Sequence, residues 1–107
     1  MTRVSVVIPA YNVADYLDEC LGSLIVQDHE DWEAICVDDG STDDTRILLE
    51  HWAAHDARVT TVSIPNGGVS HARNVAMARA TGEIVCFLDA DDRLQPQALS
   101  RIVRAFD

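Results

Sequence analysis

Four short clusters in this chain carry residue types able to bind or transfer chemical groups: Pro9-Ala10-Tyr11-Asn12, Asp38-Asp39-Gly40-Ser41, Asn66-Gly67-Gly68 and Asp89-Ala90-Asp91-Asp92. Alternating carboxylates such as Asp89 and Asp91 let two oxygen donors reach a common point beyond a strand end. Mg²⁺ and Mn²⁺ prefer such donors, and one or two carboxylates plus substrate phosphate suffice to hold them. A cation there turns an acidic edge into a diphosphate site and stabilises charge on a departing phosphate. If Asp38, Asp39, Asp89, Asp91 and Asp92 gather at one edge, they repel one another unless something positive is bound. Arg73 follows Gly67-Gly68 closely. A guanidinium beside a helix N-terminus suits phosphate oxygens, and a surface position or an internal ion pair with one of the aspartates is the alternative. Loops collect Asp, Asn, Gly and Pro for conformational reasons as well, so Asn66-Gly67-Gly68 alone is equally a turn. Tyr11 either stacks on a base or packs in its loop.

Composition removes several competing chemistries. The chain has 107 residues and a formal charge of -10, from 18 acidic and 8 basic residues. Every basic residue is Arg, which excludes a lysine nucleophile and a P-loop lysine. An aspartyl-phosphate reading, receiver-like or phosphatase-like, normally brings a lysine partner and loses ground for the same reason. There is no basic stripe to displace counterions from nucleic acid, and no polybasic patch for anionic lipid. No segment approaches the apolar length of a membrane span, and Pro9 and Asn12 interrupt the run after the N-terminus, so no signal peptide is expected. Cys20, Cys36 and Cys86 are odd in number and widely spaced, which reads as reduced thiols in a cytoplasmic protein. His51 and His55 stand at i, i+4, but the zincin motif needs Glu directly after the first His and Trp52 is there; an exposed helical face is the better reading. His71 lies near the glycine turn and is assigned no role. Neither G-x-x-x-x-G-K-[ST] nor a G-x-G-x-x-G after the first strand is present.

The elements that must position these clusters alternate along the chain. The β-branched run Val4–Ile8 predicts a buried strand, and Leu17, Cys20, Leu21, Leu24 and Ile25 trace one face of a helix from about Ala14 to Gln27. Glu33–Val37 predicts a second strand. After it a hydroxyl of Ser41 or Thr42 can cap a helix reaching His55, with acids in its first turn. Arg58–Ile64 is the third strand, and Val69–Ala80 a helix whose Ala72, Ala76 and Ala80 permit close approach to a sheet. Glu83–Leu88 is the fourth and most apolar strand, and Pro96–Phe106 the last helix. Apolar strands between amphipathic helices imply an α/β fold, a parallel sheet with helices on both faces. Every unusual cluster follows a strand, so all four share one sheet edge, the edge where ligands bind in such folds.

In this order and spacing the motifs Val4–Asn12, Val37–Asp43, Asn66–Asn74 and Phe87–Asp92 resemble the N-terminal half of a family 2 glycosyltransferase with the GT-A fold, over nearly the whole chain. The resemblance implies a Rossmann-like, nucleotide-sugar-binding half with strand order 3-2-1-4. It also implies that residues 1–107 form a single donor-binding part, with the acceptor-binding half absent. By the family's pattern Pro9, Ala10, Tyr11 and Asn12 line the nucleotide pocket together with Gly68. Asp39 hydrogen-bonds the base, Asp38 supports its surroundings, and Arg73 approaches the diphosphate. Asp89, Ala90 and Asp91 form the D-x-D motif, Asp91 as the metal ligand and Asp89 nearer the ribose, with Mn²⁺ or Mg²⁺ as cofactor and Asp92 assisting.

The implied reaction inverts the anomeric centre. A carboxylate base deprotonates an acceptor hydroxyl, which attacks the sugar carbon of a nucleoside-diphosphate sugar, a UDP-sugar foremost. The base is expected beyond Asp107, so no residue here is assigned to it. The alternative is a nucleotide- and metal-binding module, or a folding unit, without transferase activity of its own. The implied acceptor is a saccharide or lipid-linked saccharide, and the implied setting bacterial envelope or polysaccharide synthesis at the inner face of the membrane. An exposed apolar edge at the fourth strand is also expected, open to a homodimer and opposed by the -10 charge.

Overall fold

The computed structural model describes residues 2–106. The elements run β1 (Val4–Ala10), α1 (Ala14–Ile25), β2 (Trp32–Asp39), α2 (Thr45–His55), β3 (Val59–Ile64), α3 (Val69–Ala78), β4 (Ile84–Phe87) and α4 (Ala98–Phe106). The sheet is parallel with order β3-β2-β1-β4, as expected. Pairing of Ala10 with Asp38 and of Asp39 with Ile64 brings the ends of β1, β2 and β3 level. The loops that follow them therefore emerge side by side.

Alternation along the strands splits the core into two layers. Val4, Val6, Ile8 and Ala10 of β1, with Ala34 and Cys36 of β2, face α1, α2 and α4. Val7, Ile35 and Val37 face α3, where Ala72 and Ala76 are completely buried. The small side chains let α3 lie close to the sheet. Each fully buried aliphatic chain contributes about 1.5–3 kcal/mol, and β1 supplies such residues to both layers. That dual burial is why its sequence reads as an unbroken apolar run.

The exposed apolar edge expected at the fourth strand is present, and the start of the helix after β2 changes in detail. The fourth strand, the most apolar by sequence, is only half covered, with Val85 40% and Phe87 51% exposed. It sits at the sheet edge beside β1 alone, and Phe87 pairs with Val7 on the layer that α3 covers only over β1 and β2. The helix after β2 starts at Thr45, with Asp44 at the cap position and no side-chain cap bond. The hydroxyls that would cap it are engaged elsewhere, by the β1–α1 loop.

At the opposite end of the sheet a carboxylate ties β2 to the start of β4. Glu33 Oε2 accepts Ser5 Oγ–H at 2.6 Å, Thr81 N–H at 2.7 Å and Thr81 Oγ1–H at 2.9 Å. Burial raises the Glu33 pKa, but these hydrogen bonds and the Arg3 charge together outweigh it and hold the carboxyl below its ordinary value. A depressed folded-state pKa contributes stability above the unfolded value, and that contribution is lost as pH falls through the folded one. Glu33→Gln is therefore expected to cost about 1 kcal/mol at pH 7, a melting temperature lower by roughly 4–8 °C. The gap to the wild type should close below about pH 4. Thermal melts across pH check it, and a gap that is constant with pH contradicts it.

Candidate functional site

The four clusters all follow the carboxyl ends of the strands, and three of them border one cleft. This cleft, of about 250 Å³, is lined by Pro9, Ala10, Tyr11, Asp39, Asn66, Gly68, Val69 and Ala72. Its floor is the end of β1 and its wall the first turns of α3. Tyr11 stands at the cleft with half its surface exposed.

Asp39 organises one side of this cleft. Its carboxylate is almost wholly buried and accepts Gly67 N–H at 2.8 Å on Oδ1 and Gly68 N–H at 3.0 Å on Oδ2. Its carbonyl accepts Asn66 Nδ2–H at 2.9 Å. The turn after β3 is thus clamped onto the end of β2, with φ of +97° at Gly68, a conformation that favours glycine. An ionised carboxylate has about four acceptor positions. Two are used by the glycines, which leaves capacity toward the cleft. Asp38, also buried, accepts Ser41 N–H at 3.0 Å on Oδ1 and shapes the following turn.

Asn12 does more structural work than the sequence suggests. It has a φ of +51°, and its Oδ1 accepts Thr42 N–H at 2.8 Å, Asp43 N–H at 3.3 Å and Thr42 Oγ1–H at 3.3 Å. In return Asn12 N–H donates to Ser41 Oγ, Val13 N–H to Thr45 Oγ1 and Ala14 N–H to Asp43 Oδ2. These bonds latch the β1–α1 loop to the β2–α2 loop. Among the predicted pocket residues, Pro9, Ala10, Tyr11, Asp39 and Gly68 line the cleft, whereas Asn12 and Asp38 do not line it and instead hold the adjoining loops.

Arg73 leaves α3 toward the β4 end. Its Nη2 lies 3.5 Å from Asp89 Oδ1, its guanidinium 5.7 Å from the centre of the Phe87 ring, and its buried Nε has no partner. Both partners of this ion pair are substantially exposed, so the pair contributes no more than about 1 kcal/mol and yields readily to a ligand carrying charge. Ala90 is buried while Asp89, Asp91 and Asp92 remain exposed. Asp91 and Asp92 line a smaller recess of about 160 Å³ with Tyr16, Glu19 and Arg93.

Three further residues fix this acidic loop, and of these the sequence marks only Cys20, as a reduced thiol. Ser23 Oγ accepts Leu94 N–H, Gln27 bonds both the Gln95 carbonyl and Leu99 N–H, and Cys20 Sγ–H reaches the Asp89 carbonyl at 3.8 Å. Ser23 is a buried polar residue on α1 and Gln27 one just past its C-terminus, and that burial is their only signal. Burial, followed by the charges of Asp92, Asp91 and Asp89, pushes the Cys20 thiol up to about 12, so it is not a nucleophile.

Among the described residues no three of His, Cys, Asp or Glu converge as a ready metal cage. Two exposed carboxylates spaced around a buried alanine still suit Mg²⁺ or Mn²⁺. These ions take oxygen ligands and commonly complete their octahedron from phosphate and water. No helix among the described residues is long and apolar enough to cross a membrane.

Comparison with known proteins gives a consistent result. The family described as Glycosyl transferase family 2 matches residues 5–107. A putative teichuronic acid biosynthesis glycosyltransferase of Bacillus subtilis, TuaG, is 42% identical over 99 residues, covering 92% of this chain and 39% of that protein. Among solved structures, S. aureus TarS 1-349 in complex with UDP-GlcNAc superposes with a TM-score of 0.86 at 33% identity, over 97% of this chain and 30% of that one. A mannosyltransferase from Pyrobaculum calidifontis in complex with GDP-Man and Mn²⁺ gives 0.83 at 33% identity, over 96% and 32%. The chain thus spans well under half the length of these relatives. The matched family, the parallel sheet of order β3-β2-β1-β4 and the GT-A neighbours agree: this chain belongs to glycosyl transferase family 2.

Proposed function

We propose that the chain is the donor-binding part of an inverting, metal-dependent glycosyltransferase that uses a nucleoside-diphosphate sugar, a UDP-sugar foremost. The observation that carries this reading is the cleft bounded by Pro9, Ala10, Tyr11, Asp39 and Gly68, with the Arg73–Asp89 pair nearby on the same sheet edge. In this reading the nucleoside lies against Tyr11, and spare acceptor capacity on Asp39 takes an N–H of the base. Arg73 leaves Asp89 and turns to the diphosphate. Asp91 and Asp89 hold Mn²⁺ or Mg²⁺, which when bound offsets charge on the departing diphosphate. In this reading the acceptor is a saccharide or lipid-linked saccharide, and none of the residues named here is assigned as the base that deprotonates it. The teichuronic acid biosynthesis in which the Bacillus relative is named supports polysaccharide synthesis as the setting, and this reading places it at the inner face of the membrane.

Titration with UDP and GDP, with and without Mn²⁺, tests the reading. A ligand at about a hundredfold excess over its dissociation constant stabilises by ~2.7 kcal/mol, a melting shift of about 10 °C or more. The shift is expected to need Mn²⁺ and to lose that dependence in Asp91→Asn. No shift with either nucleotide removes the donor-site reading, and unchanged Mn²⁺ dependence in the variant removes the metal assignment.

A further inference from the structure

Away from the cleft, α1 and α2 enclose a second recess of about 570 Å³, lined by Asp18, Ile47, Leu48, His51, Trp52 and His55. We propose that His51 and His55 form a two-point chelating site for a transition-metal dication of the Zn²⁺, Ni²⁺ or Cu²⁺ class, a site independent of the nucleotide reading.

The ligand chemistry is set by one hydrogen bond. His55 Nδ1 lies 2.8 Å from the carbonyl oxygen of His51. A carbonyl only accepts, so Nδ1 carries the hydrogen and Nε2 keeps its lone pair. Metal-binding histidines are oriented in this way, with the remote ring nitrogen donating to a backbone carbonyl. The two ring centres are 4.2 Å apart with planes inclined by 37°. An ion about 2 Å from each ligating nitrogen sits roughly 3 Å from each ring centre, and that separation then subtends an angle of roughly 80° at the ion. The i, i+4 spacing and this centroid separation place both imidazoles within reach of one cation, with side-chain rotation bringing the ligating nitrogens onto it.

The surroundings favour positive charge. Both histidines are exposed and occupy the last turns of α2, whose carbonyl end carries partial negative charge. Arg46, the cation on the same helix, is engaged with Glu50 at 3.8 Å. Asp18 faces the recess from α1, with Oδ1 accepting Trp52 Nε1–H at 2.9 Å. Among the described residues no third His, Cys, Asp or Glu completes the set, so water fills the remaining positions. Imidazole nitrogen selects Zn²⁺, Ni²⁺ and Cu²⁺ over the oxygen-seeking Mg²⁺ and Mn²⁺, which separates this site from the acidic loop.

Calorimetric titration of the untagged chain with Ni²⁺ is the test. One saturable site is expected, weakened at least about tenfold in His51→Ala and equally in His55→Ala, and unchanged in His29→Ala. Circular dichroism establishes that each variant is folded. If one melts early, imidazole resonances of the unsubstituted chain replace it as the readout, with those of His51 and His55 broadening together at substoichiometric Ni²⁺. Absence of saturable binding, equal binding by wild type and both variants, or a loss confined to one variant overturns the proposal.

Discussion

Asp39→Ala is expected to lower the melting temperature by roughly 10 °C or more and to abolish any nucleotide-dependent stabilisation. Two backbone N–H groups, those of Gly67 and Gly68, donate to this one buried carboxylate. Hydrogen bonds to a charged acceptor contribute about 1.5–3 kcal/mol each, and removing the acceptor leaves buried donors unpaired. A combined loss of about 3 kcal/mol is a large share of the 5–15 kcal/mol that holds a domain of this size. Asp39→Asn separates shape from charge. Its amide nitrogen must face one of the two glycine N–H groups, donor against donor, so most of the loss should persist in this isosteric variant. Melting and nucleotide titration of both variants check the expectation. A melting temperature within about 2 °C of wild type would show that the turn after β3 is held by something other than Asp39.

The same clamp shows where sequence reasoning reaches and where it stops. The eight elements follow from local pattern, because β-branched runs and helical periodicity declare themselves within about ten residues, whereas the strand order follows from the family resemblance. The two-sided burial of β1 is legible in its unbroken apolar run, and the close packing of α3 in the spacing of Ala72 and Ala76. The gathering of the motifs at one edge follows once the sheet is parallel. The assignment of side chains to partners is less accessible. Asn12 lies about 30 residues from the backbone it holds, and nothing local distinguishes a latch between loops from a residue lining the cleft. Asp39 reads as a ligand-facing acid, yet its two oxygens first satisfy the glycine turn. The half-exposed β4 matches the apolar edge expected there, although hydrophobicity alone reports what a strand prefers to touch and not whether a neighbour is present. Arg73 is intermediate: its pairing with an aspartate was among the alternatives, and the structure identifies the partner as Asp89.

Gly40→Ala should be nearly as damaging as loss of Asp39, by a different route. Gly40 has a φ of +72°, and a Cβ built on it would lie 2.6 Å from Asn66 N and 3.1 Å from Asn66 Cα. The left-handed conformation costs a non-glycine residue about 1–2 kcal/mol, and overlap with a neighbouring backbone adds about 1–3 kcal/mol. Neither cost is easily relieved. Rotating φ at residue 40 drags Ser41, whose N–H is bonded to Asp38 and whose Oγ accepts Asn12 N–H. Moving Asn66 instead strains the Asp39–Gly67–Gly68 clamp and reshapes the wall of the cleft. The expected result is a loss of about 3 kcal/mol with nucleotide affinity reduced more than stability alone requires. The two contributions are separable by experiment. Titration well below the melting temperature, where Gly40→Ala is still folded, should show weakened binding. A folded variant that binds UDP or GDP as well as the wild type would mean that the turn after β3 can move without disturbing the cleft, and the nucleotide would then have to be held mainly by β1 and the acidic loop.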